Sequence, residues 1–164
     1  MFRTPLIQFC DQLMEGISLL LNWEQTYQAT KYYLSQYGHI HSVALRASII
    51  EQTTSPQALS RIPSLKDRYT DALQYKNQCD SITDTIHRLR VISSLHELMS
   101  EILDYRYIKG MPAVKVREIL MNNGKGIISK TNYTRLLHDA LWNFAVLSTN
   151  RDNLIKFESN QVLR

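Results

Sequence analysis

Between Ser129 and Arg135 the chain reads Ser-Lys-Thr-Asn-Tyr-Thr-Arg, a run of side chains that donate and accept hydrogen bonds without titrating near neutrality. Arginine can donate two parallel hydrogen bonds to a guanine edge, asparagine can pair both ways with adenine, and threonine can bond an edge or pack on a thymine methyl. Ser129 suits a helix N-cap, and Lys130 a backbone phosphate. The same residue types also make an ordinary capped, solvated helix start, so their placement decides between the two.

Enzyme chemistry finds no comparable run. No Ser/His/Asp or Cys/His set, glycine-rich phosphate loop or paired-carboxylate arrangement stands out, and no cofactor is expected. His39 and His41 would need a third ligand from elsewhere to hold a metal, so they read as surface imidazoles. Cys10 and Cys79 match no metal or redox spacing, which fits buried thiols in a reducing compartment. Asp11 and Glu15 interrupt the apolar N-terminus, so neither a signal peptide nor a membrane span is expected there. A cytoplasmic protein without a membrane partner follows as the expectation.

Charge is distributed unevenly. Met1 to Ser60 holds three basic and four acidic residues, and Arg61 to Gly110 eight and seven. Between Met111 and His138, Lys115, Arg117, Lys125, Lys130 and Arg135 face Glu118 alone, so the net charge of +4 has its local source there. Such a patch suits a polyanion or a solvated basic face.

The elements that position these residues read as helices throughout. Thr4 and Pro5 open one that carries Leu6, Phe9, Leu13 and Ile17. Asn22 with Gln25 caps a second, which Gly38 is expected to stop, and a third runs from about Ile40 to Glu51. Tyr27, Tyr32, Tyr33 and Tyr37 at helical spacing read as half-buried core, with base stacking as the alternative. Ser64 to Tyr107 is the longest periodic stretch: Ser81 with Asp84 suggests a cap and a break near Cys79, whereas the absence of Gly and Pro suggests one helix. Gly110 and Pro112 then punctuate a helix from Ala113 to about Met121, Asn122 to Gly126 make a turn, and Ser129 opens a helix to about Leu147.

On that last helix Tyr133, Leu137, Ala140, Leu141 and Phe144 share one side, with Leu136 at its margin. Thr131, Arg135, His138 and Trp142 fall opposite, flanked by Asn132 and Thr134. Trp142 on the outer stripe needs a cover: the N-terminal helices, a second copy, or a protein partner. The expected fold is all-α, with an N-terminal helical region over 1–60, a long central helix or helix pair over 61–104, a helix-turn-helix over 105–148, and a tail or short helix over 149–164.

The segments "ILDYRYIKGMPAVKVREIL" and "IISKTNYTRLLHDALWNFA" carry Arg106-Tyr107, Ile119-Leu120, Ile128-Ser129, Tyr133, Arg135, Ala140-Leu141 and Phe144-Ala145. In order and spacing this resembles the ArpU-type phage late transcriptional regulators, and more distantly the last helical region of sigma factors. "TYQATKYYLSQY" resembles the N-terminal helix of the same family. Two differences stand out: the turn "MNNGKG" is longer, and Leu136-Leu137-His138 replaces a more basic run.

The resemblance implies a non-enzymatic phage or prophage protein that binds promoter DNA in a bacterial host and helps the host RNA polymerase start late genes. In that reading Thr131, Asn132 and Arg135 read bases and Thr134 assists, while Ser129, Lys115, Lys125 and Lys130 touch phosphate. A homodimer and a monomer leaning on polymerase fit equally. The alternatives are an adaptor that binds polymerase or a host factor through the same helix pair, and a small DNA-packaging adaptor.

Overall fold

The computed structural model describes residues 21–157, and among these the chain is helical with no strand beyond an isolated antiparallel bridge between Leu21 and Phe157. The expected helix from Thr4 lies outside the described residues. The order is α1 (Trp23–Ser35), α2 (Tyr37–Thr53), α3 (Pro56–Arg61), α4 (Pro63–Arg90), α5 (Ser94–Leu103), α6 (Ala113–Asn122), α7 (Lys130–Leu147) and α8 (Arg151–Leu154).

α1 starts where its cap predicts, with Asn22 Oδ1 accepting the Gln25 N–H at 2.9 Å. It does not run to Gly38. Gln36 alone joins α1 to α2, and because it keeps a right-handed conformation the chain turns without the left-handed step a glycine would supply. α1 is pinned at its start by the far end of the chain: the Asn22 N–H donates to the Lys156 carbonyl at 2.8 Å, and the Lys156 N–H donates to the hydroxyl of buried Thr26 at 2.9 Å.

The central stretch is a pair of helices, broken at Val91–Ser93 and not near Cys79. α4 runs 28 residues without interruption, roughly 42 Å at the usual rise. Ser81 lies inside it, its hydroxyl bonded to that of Thr149 at 2.7 Å, so the Ser81/Asp84 pair has no free helix end to cap. Ser93 is the cap instead: its backbone is extended, and its Oγ accepts the His96 N–H at 3.4 Å. α5 then widens into a π turn over Asp104–Ile108, closed by the Lys109 N–H on the Asp104 carbonyl at 2.9 Å.

Buried side chains form two clusters. The larger draws on α1, α2, α4, α5, α7 and α8, with Leu34, Ile82, Leu89, Leu103, Leu141 and Phe144 at its centre. The smaller joins α5, α6 and α7 through Ile102, Val116, Leu120, Ile128, Tyr133 and Leu136. α7 serves both. Tyr133 and Leu136 enter the smaller cluster, Ala140, Leu141, Phe144 and Ala145 the larger, and half-buried Leu137 packs against each.

Candidate nucleic-acid interface

The first turns of α7 stand on the smaller cluster. Gly124 and Gly126 carry the turn through left-handed backbone, with φ of 77° and 79°, conformations in which side chains are strained. Ile128 then plugs into the cluster and Ser129 caps the helix, its Oγ accepting the Asn132 N–H at 3.1 Å. The Ser129 carbonyl takes the Tyr133 N–H at 2.9 Å. The N–H groups of Lys130 and Thr131 have no intramolecular partner among the described residues.

Above that foundation Ser129, Lys130, Thr131, Thr134 and Arg135 are exposed and Asn132 is half-buried. Six of the site residues expected from the sequence thus stand at one helix end, whereas Lys115 lies on α6 and Lys125 in the turn, and their partners differ. Arg135 Nη2 donates to Asn132 Oδ1 at 2.9 Å, a bond across one turn. The Thr134 hydroxyl donates to the Lys130 carbonyl at 3.0 Å. Lys115, on α6, is bonded to Glu118 at 3.0 Å.

Lys125 is paired with carboxylates from another helix. Its ammonium lies 3.5 Å from Glu101 and 3.7 Å from Glu97, both on α5, and its side chain retains 30% of its surface. Glu97 also meets Arg90 at 3.8 Å. These ion pairs tie the α6–α7 turn to α5. Pairing across 28 and 24 residues leaves no local pattern, and the sequence reading missed Glu97 and Glu101 for that reason. Among the described residues Arg117, Lys130 and Arg135 form no ion pair with a carboxylate.

The face of α7 also divides as the sequence alone does not show. Leu136 is buried and Leu137 half-buried, the reverse of the simple wheel, because Leu136 points into the smaller cluster. On the outer stripe α1 touches two side chains: Tyr27 stacks on His138, which stays exposed, with ring centroids 3.9 Å apart, and Trp23 meets half-buried Trp142 at 4.1 Å. Of the covers Trp142 called for, the N-terminal helices supply this one. The stripe is therefore free of these α1 ring contacts over its first turns, from Lys130 to Arg135.

Burial raises the phenol pKa of Tyr133, partly offset by nearby Arg106 and Arg117, and its hydroxyl is buried without a partner among the described residues. Arg106 donates to the Met111 carbonyl at 2.8 Å and so ties the π turn to the start of α6. Among the described residues no three His, Cys, Asp or Glu side chains converge as a metal site, His39 and His41 included, and no helix is long and apolar enough to cross a membrane. No protein-family model matches the chain, and no curated protein and no solved structure shows a match to it.

Proposed function

We propose that the chain binds double-stranded DNA, with α6 and α7 acting as a helix-turn-helix and the first turns of α7 entering the major groove. The biological setting is the one its sequence resemblance implies, regulation of phage late genes alongside host RNA polymerase. The observation that carries this reading is the selective opening of α7. A face of Lys130, Thr131, Thr134 and Arg135 stays exposed at the helix start, while farther along the stripe α1 packs Tyr27 on His138 and Trp23 on half-buried Trp142.

Roles follow from the bonds in the free protein. Asn132 lends its carbonyl to the Arg135 guanidinium, so Arg135 reads guanine and Asn132 aims it. Lys130 and the free N–H groups of the first turn meet phosphate. Lys125 contributes by holding the turn, not by touching DNA.

The test starts from a site selected out of a random duplex library. Binding to it should weaken steeply as salt rises. Arg135→Ala should cost about 1–3 kcal/mol of affinity and relax the preference at its base pair. Unchanged affinity and preference for that variant in a mobility-shift titration would remove Arg135 from the reading role. A second reading, a protein-binding adaptor, draws on Ile127 at 93% exposure in the turn and Val114 at 60% on α6. It predicts no salt-sensitive affinity for any duplex.

A further inference from the structure

The chain has two tryptophans, and the fold brings both to one place. Trp23 and Trp142 meet at 4.1 Å between ring centroids, tilted by 46°, on the wall of a cleft of about 350 Å³ between α1, α5 and α7. That volume lies in the range of small-ligand sites. Met99 contributes apolar surface, and Trp23, 49% exposed, keeps indole surface open.

Charge completes the pattern. Glu24 and Asp139 line the cleft together with the imidazoles of His96 and His138, and no lysine or arginine does, although the protein as a whole carries +4. Glu24 Oε1 accepts from the Gln28 amide at 2.7 Å, and among the described residues neither carboxylate forms an ion pair. Electron-rich indoles beside two uncompensated carboxylates favour a cation. A compact ammonium is strongly hydrated. A guanidinium is planar and weakly hydrated, so it stacks on an indole while its N–H groups donate in parallel to carboxylate.

The geometry points to a guanidinium site: the cleft takes an arginyl group, its plane against the tryptophan pair and its donors on Glu24 and Asp139. The assignment is independent of DNA binding. Its ligand is either a free arginine-like compound or an arginine side chain on a partner protein, since both present the same group.

Because both tryptophans sit at the cleft, intrinsic fluorescence of the full chain reports on this site directly. Titration with N-acetyl-arginine amide should give a saturable change, half complete at about 1 mM or below. The lysine analogue should bind at least about tenfold more weakly, and the uncharged, similarly shaped citrulline analogue should give no saturable change. Glu24→Gln and Asp139→Asn should each weaken arginine binding by about tenfold with the far-ultraviolet circular dichroism unchanged. A pentapeptide with a central arginine then identifies the source. Tighter binding than the amide marks a protein partner, weaker binding a free compound, and either supports the site. No saturable response to the arginine amide, or an equal response to the citrulline analogue, overturns the proposal using the unaltered chain alone.

Discussion

The two halves of α7 carry the same amphipathic pattern and meet different fates. From Lys130 to Leu137 the helix rests on the smaller cluster, and its outer face is open. From His138 to Leu147 it enters the larger cluster on one side and meets Tyr27 and Trp23 of α1 on the other. The difference teaches that an outward stripe on a helix is a surface only where nothing distant claims it. One rigid element thereby serves as a core strut over its second half and as a projecting platform over its first, and the strut fixes where the platform points.

The contrast can be broken by cutting into either core. Phe144, fully buried in the larger cluster, should cost about 3–5 kcal/mol on replacement by alanine, read as an earlier urea midpoint for the whole fold. Leu136→Ala in the smaller cluster should cost about 2–4 kcal/mol. Its loss should appear first as faster hydrogen exchange in α6 and the opening turns of α7, with the amides around Phe144 still protected. Uniform loosening along α7 would erase the distinction between the halves.

Alkaline pH probes the seam between them. Tyr107, in the π turn, lies near Tyr27 of α1 and Tyr133 of α7, and burial pushes its phenol up to about 12 from an ordinary 10.0. The folded state therefore holds this proton more tightly than the unfolded chain. The stabilisation is fully present below pH 10 and is lost as pH rises toward 12. Tyr107→Phe should remove a part of that alkaline loss on the order of 1–2 kcal/mol, discounted because the ring is only partly buried, measured as thermal midpoint against pH. An identical alkaline profile for the variant would place the sensitivity elsewhere. The smallest effect belongs to the helix start: Ser129→Ala removes the cap bond to Asn132 and should cost about 1 kcal/mol, with glycine costing less. A loss of several kcal/mol would mean that the turn itself depends on Ser129.

Much of this architecture was legible locally. Asn22, Pro112 and Ser129 mark helix starts in the sequence and stand at helix starts in the fold, because caps act within a turn. The grouping of Ser129, Lys130, Thr131, Asn132, Thr134 and Arg135 on one helix end was legible for the same reason. The break in the central stretch stayed undecided since Ser81/Asp84 and Ser93 offer similar local signals. Ser81 can also satisfy its hydroxyl on Thr149, a residue far along the chain. The pairing of Lys125 was not legible because Glu97 and Glu101 reach it only once α5 lies beneath the turn.

By itself the sequence determined the helical class, the cap positions, the polar and cationic composition of the first turns of α7, and the apolar stripe behind them. Each depends on neighbours three or four residues away, so backbone geometry alone brings the interacting groups together. Tertiary structure alone decided which part of the stripe opposite stays open, which lysine is spent on carboxylates, and that Trp23 meets Trp142 beside Glu24 and Asp139. Those contacts join residues up to more than a hundred positions apart. They exist only after burial of the two clusters has offset the entropy of bringing such distant segments together.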